Sequence, residues 1–150
     1  MERTDESLYY KGRPLVQLDP AAFLADPELI RALAARSTAV PCESDRILFR
    51  QDEPPVGLYI LHQGVATLSM TSRDGKSLLA VQALPGSLLG LPGLIGNQPY
   101  SLSATAGAGS QVSFVSRDDF TALMHADPFL SLKILQVLAA EVRSARKALY

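Results

Sequence analysis

The spacing of apolar positions along this 150-residue chain changes period twice. Between positions 27 and 36, Leu29, Ile30, Leu33 and Ala34 recur on one face at helical spacing. Asp26 stands as an N-cap and Pro27 in the first turn, so the pattern predicts a helix over 27–36. A shorter start at Asp19-Pro20 predicts a turn of helix over 20–25. From Ser37 the pattern becomes short extended runs separated by turn residues: 38–42, 46–50, 57–62, 65–71, 77–84, 101–106 and 111–116. Pro41 marks an edge. Asp74-Gly75 is the strongest hairpin signal in the chain. Strands of this length with turns between them predict a sandwich or barrel, with a jelly roll favoured.

The helical period returns at Ser116. That serine, with Asp119 three positions on, approximates a capping box and opens a helix to about Met124. Asp127-Pro128 opens the last helix. Leu130, Ile134, Leu138 and Val142 recur every fourth residue, and Val137 and Leu149 broaden the stripe. The pattern runs for roughly 22 residues, or about 33 Å at 1.5 Å per residue. A helix that long should overhang a small β domain and leave part of its apolar face for another partner. The stripe is therefore read as a dimer seam that also touches the sheet, with burial on the chain's own sheet as the alternative. Positions 1–19 read as a loose arm in which Gly12 and Pro14 block regular structure, with Tyr9 and Tyr10 available to pin it. Positions 20–150 read as one domain, with the roll over about 37–116 and the C-terminal helices over about 117–150.

The centre of the chain is the uncharged, glycine-rich stretch 84–106. Such a break in a β-rich domain is either a tight corner or a place where backbone approaches a ligand. Gly86, Gly90, Gly93 and Gly96 fit both readings. Leu88, Leu89, Leu91, Leu94 and Ile95 would make any pocket there apolar.

Charge excludes more than it suggests. Lys and Arg number 14 against 15 Asp and Glu, so no basic surplus exists for nucleic-acid binding by this chain alone. One cysteine, Cys42, rules out an internal disulfide and reads as a small strand residue. The N-terminus carries both signs of charge and has no apolar core, and no apolar run reaches the length of a membrane span, so a cytoplasmic, membrane-free location is expected. His62 and His125 lack neighbours at ligand spacing, so no metal or haem is expected, and a cupin-like metal enzyme on a similar roll would need the histidines clustered. Asp118-Asp119 reads as a cap, and the carboxylates of the 43–53 loops read as solvated. No nucleophile–base pair, phosphate loop or Gly-x-Ser-x-Gly is present, so the chain is not expected to be an enzyme.

Several runs, taken in order, resemble one known family: Leu48-Phe-Arg-Gln-Asp-Glu53, Leu58-Tyr-Ile-Leu-His-Gln-Gly64, Asp74-Gly75-Lys76, Leu84-Pro85-Gly86 through Gly90, Ser103-Ala-Thr-Ala106 and Ser116-Arg-Asp-Asp-Phe120. This order is similar to the cyclic-nucleotide-binding domain of the catabolite activator and fumarate–nitrate regulator family, over about 28–150. The resemblance implies a mainly β fold, a double-stranded β-helix or jelly roll with flanking helices and a long C-terminal helix that packs on its twin. It also implies a ligand site inside the roll, where a short helix presents N–H groups to a cyclic phosphate. Regulators of this family continue into a DNA-binding domain, and the sequence to Tyr150 resembles their sensor half alone.

The departures fall inside the cassette. Leu91 stands where the resemblance implies a ribose-binding glutamate. Pro92 removes an N–H, and Tyr100 stands where a phosphate-pairing arginine is implied. Ser101 is retained in type. Charged hydrogen bonds contribute about 1.5–3 kcal/mol each, so losing both ionic partners should weaken cyclic-nucleotide binding by several kcal/mol. The expected pocket residues are Gly86, Leu89, Gly90, Leu91, Pro92, Gly93, Tyr100 and Ser101. The expected function is a regulatory sensor with a degenerate cassette, no obligate cofactor and a small-molecule ligand bound weakly or differently. The alternative is a ligand-free scaffold acting through its long helix.

Overall fold

A computed structural model of the chain describes residues 9–10, 13–14 and 18–148. β1 (Tyr9–Tyr10) and β2 (Arg13–Pro14) pair antiparallel as a small ribbon, so this part of the arm is regular although Gly12 and Pro14 predict otherwise. Pro14 stands at a strand end, a place where proline is tolerated. The rest of the arm, the side chains of Tyr9 and Tyr10, and Leu149 lie outside the described residues.

A 3₁₀ turn (Pro20–Phe23) and α1 (Pro27–Ala34) follow. The carboxylates of Asp19 and Asp26 accept from the N–H groups of Ala21 and Glu28 at 2.9 and 2.8 Å, the caps their positions predict. Eight strands then build two four-stranded antiparallel sheets. The first runs β3 (Thr38–Val40), β10 (Gln111–Ser116), β5 (Gly57–Gln63), β8 (Ser87–Leu89). The second runs β4 (Arg46–Phe49), β9 (Ser103–Ala106), β6 (Ala66–Thr71), β7 (Ser77–Ala83). α2 (Leu91–Gly96) lies between β8 and β9, and α3 (Arg117–Ala126) and α4 (Pro128–Ala148) close the chain.

Apart from its exposed edge strand β3, the first sheet is largely covered on both faces. Leu58 and Ile60 of β5, Leu88 of β8 and Val115 of β10 pack against Leu29 and Leu33 of α1 and the inner faces of α3 and α4. Their alternates, Leu61, Leu89 and Val112, face the roll interior, where they meet Leu68, Leu79, Val81 and Ala104 of the second sheet. A strand covered on both sides shows no alternation in its sequence, which is why β8 was absorbed into the apolar centre of the chain. The second sheet is covered on one face, and β7 alternates accordingly: Leu79, Val81 and Ala83 are buried, Ala80 and Gln82 exposed. The Asp74-Gly75 hairpin forms, with Gly75 at φ 82°. The result is the expected roll with flanking helices. Among the described residues, no helix is long and apolar enough to cross a membrane.

Candidate functional site

The centre of the chain folds as β8, a left-handed glycine, one short helix and a return to β9. Gly90 has φ 89° and caps α2, while Asn97 at φ 51° ends it, its N–H reaching the carbonyls of Gly93 and Leu94. A side chain at Gly90 would meet Tyr100 Cε1 at 2.9 Å and Phe49 Cε1 at 3.3 Å. Both the backbone angle and the space therefore demand glycine there.

What fills the space beside Gly90 is Tyr100. Its ring is 2 % exposed and stacks on Phe49, with centroids 4.2 Å apart at 25°. Its hydroxyl donates to the Gly57 carbonyl at 2.7 Å and accepts from the Val56 N–H at 3.1 Å. Its backbone pairs with the 50s loop as well: Tyr100 N–H to Glu53 O at 3.0 Å, Asp52 N–H to Tyr100 O at 2.8 Å. Tyr100 is thus a stacked, hydrogen-bonded part of the core.

A small cavity of about 30 Å³ remains beside it. Of the expected pocket residues, Leu89, Gly90, Pro92, Gly93, Tyr100 and Ser101 line it. Gly86 and Leu91 lie elsewhere. Gly86 is held by backbone bonds to Leu61 and Ala25, at φ 94°. Leu91 is turned to the helix-side core and is 0 % exposed. The site also contains residues that sequence spacing had not assigned to it: Phe23, Phe49, Leu68, Leu102 and, from α4, Glu141. Glu141 Oε2 is buried without a hydrogen-bond partner, and burial pushes this carboxyl up to about 8. A signal for Glu141 was present: it falls on the inner stripe of α4, with Ile134 and Val137 before it and Ser144 after it, where every other position is apolar or small.

No group of three or more His, Cys, Asp or Glu side chains that could hold a metal occurs among the described residues. His62 Nε2 lies 2.8 Å from Ser113 Oγ on the first sheet.

The family model of the cyclic nucleotide-binding domain matches residues 39–127, more than half of the chain. The chain belongs to the cyclic nucleotide-binding domain family. The fold of this cyclic nucleotide-binding domain is shared with solved structures of low identity. The catabolite activator protein of Thermus thermophilus superposes with a TM-score of 0.71 at 22% identity, over 86% of this chain and 61% of that one. The present chain therefore spans less than two thirds of that protein. The N-terminal domain of a transcriptional regulator from Streptomyces coelicolor A3(2) gives 0.62 at 22%, over 89% and 93%. The sensor domain of the transcriptional regulator DNR from Pseudomonas aeruginosa gives 0.61 at 22%, over 76% and 77%.

In this cyclic nucleotide-binding domain, the last helix divides the expected seam between two faces. Leu130 and Ile134 are buried in the chain's own core, with Val137, and Leu138 packs partly against it. Leu130 and Ile134 keep almost no free surface for a partner, whereas Leu138 is half-buried. Val142 is on the other side of the helix, at 51% exposure, with Phe129 (58%), Leu132 (53%) and Leu135 (58%). α4 is fixed to the body by Ser144, whose hydroxyl accepts from the Asp19 N–H at 2.8 Å, and by Lys133, 3.1 Å from Asp26.

Proposed function

We propose that this domain is a non-enzymatic, cytoplasmic regulatory sensor whose cassette does not grip a cyclic nucleotide by charge. The observation that carries this reading is the position of Tyr100: a neutral ring fills the space beside Gly90 where the resemblance implies an arginine and its phosphate. Leu91 supports it, because its side chain is committed to the opposite core and offers no acceptor for a ribose. Isothermal titration with cyclic AMP and cyclic GMP is the direct test. No saturable binding in the micromolar range is expected, and a Kd of micromolar or tighter for either nucleotide overturns the reading.

The output surface in this proposal is α4. Leu132, Leu135, Ala139 and Val142 are exposed and follow 3-4-3 spacing, the seam of a two-stranded coiled coil. A second copy of the chain is the partner proposed for that face. The small size of the cavity favours a second reading, a ligand-free scaffold using the same helix face. Native mass spectrometry of protein purified from its own cells separates the two, since a bound small molecule sinks the scaffold.

A further inference from the structure

The cassette cavity has apolar side chains on most of its walls, and among the described residues one ionisable group other than a tyrosine reaches it. Phe23, Phe49, Leu68, Leu89 and Leu102 supply the apolar walls. The Tyr100 hydroxyl is engaged by Gly57 and Val56 and is directed away. Glu141 enters from α4 with Oε2 buried and unpartnered. A buried oxygen without a donor forfeits its hydration without recompense, so such groups are rare and ask for a partner. A hydrocarbon at this position would pack as Val137 does one turn earlier, so packing alone does not account for an acid.

We infer that Glu141 is the recognition group of this cavity, and that its ligand is a small organic ammonium with an apolar body. This rests on the reading above, in which the cassette has lost its hold on an anionic phosphate. The cavity of about 30 Å³ takes the ammonium head beside Oε2. The apolar body lies along Pro92 and Leu102 at the rim, where Pro92 and Ser101 are exposed and Leu102 is half-buried. An ammonium donor gives the carboxylate the charge-assisted hydrogen bond that it lacks. A phosphate brought to the same place finds no cation among the lining residues and is repelled once Glu141 is ionised. Recognition from α4 also couples the ligand to the helix that presents the exposed Leu132–Val142 face.

Binding has a proton signature. Burial holds the Glu141 carboxyl protonated at neutral pH, up to about 8, and pairing with an ammonium needs the ionised form. Each ammonium bound near pH 7 therefore releases close to one proton to the buffer.

The test uses the full chain and four probes: butylammonium and benzylammonium, with butanol and benzyl alcohol as uncharged isosteres. Calorimetry in two buffers of different ionisation enthalpy reads affinity and proton release together. Wild type should bind an ammonium at least tenfold tighter than its alcohol and release close to one proton. Glu141→Gln should lose at least tenfold for the ammonium, leave the alcohols unchanged and abolish proton release. Glu141→Met gives the same answer if the amide variant folds poorly. No saturable ammonium binding, equal binding of ammonium and alcohol, or ammonium binding indifferent to Glu141→Gln overturns the inference. Cyclic AMP serves as the control for the underlying reading: micromolar binding of cyclic AMP to wild type refutes the loss of the phosphate grip, whereas indifference of the ammoniums to position 141 without cyclic AMP binding refutes the role of Glu141 alone.

Discussion

Tyr100 and Gly57 are joined across 43 residues of sequence by a 2.7 Å hydrogen bond from the phenol to a buried carbonyl. The bond links the loop between α2 and β9 to the first residue of β5. The resemblance implies a phosphate-pairing arginine at this position. Here it is a core contact, and the consequences can be measured.

Tyr100→Phe keeps the stack on Phe49 and removes the hydroxyl. It leaves the Val56 N–H and the Gly57 carbonyl without that partner, so a loss of about 1–3 kcal/mol is expected in urea unfolding. Tyr100→Ala also empties the stack and should cost about 3–5 kcal/mol. Equal effects of the two variants would show that the hydroxyl, and not the ring, carries the contribution.

Leu91→Glu is the change that the resemblance suggests for restoring a ribose contact. The geometry predicts damage instead. Leu91 is fully buried in the helix-side core with Leu29 and Leu58. An unpaired carboxylate there shifts its pKa up and destabilises by several kcal/mol. Thermal unfolding should fall steeply, with no gain in cyclic AMP binding by calorimetry.

The fold was legible where local chemistry is strong. Asp26-Pro27, Asp74-Gly75 and the Ser116–Asp119 cap each form as their residues predict, the last with Ser116 Oγ accepting from the Asp119 N–H at 3.1 Å. β8 was not legible, since three buried residues between two left-handed glycines show neither alternation nor helical period. Half of the site was legible for the same reason as the fold: Gly90, Gly93 and Tyr100 are neighbours along the chain. Phe23, Phe49 and Glu141 reach it from elements far away in sequence, and only topology brings them together. The α4 stripe holds for Leu130, Ile134 and Leu138 and loses Val142 through arithmetic. A series every fourth residue drifts by about 40° per step at 3.6 residues per turn, so Val142 lies about 120° around the helix from Leu130. The buried set, Leu130, Ile134, Val137 and Ser144, keeps the true period.

Glu141 makes stability depend on pH. Its folded-state value is raised from 4.5 to about 8 by burial. The folded chain therefore binds more protons than the unfolded chain between those values, and stability falls as pH rises through that window. Below about 4.5 both states are protonated and above about 8 both are ionised, so the contribution is flat at each end. At about 1.4 kcal/mol per pKa unit the drop has an upper bound of about 5 kcal/mol. Urea unfolding of wild type from pH 5 to 8 should show the decline, and Glu141→Gln should remove it. A slope unchanged in the variant would assign the effect to other groups.

The two faces of α4 predict opposite outcomes for the same kind of substitution. Ile134 is buried against the first sheet's helical layer, so Ile134→Glu places an unpaired charge in the core and should unfold the domain. Leu135, the next residue, is 58% exposed. Leu135→Glu leaves the monomer core intact, and its thermal transition at low protein concentration should match wild type within about 0.5 kcal/mol. If a second copy seats on Leu132, Leu135, Ala139 and Val142, light scattering should show a dimer for wild type and a monomer for Leu135→Glu and Val142→Glu. Like charges facing each other across a coiled-coil seam have no partner and cannot be desolvated cheaply, so a single substitution on each copy suffices. A wild-type chain that is already monomeric at tens of micromolar removes the self-association reading and leaves that face to a different protein.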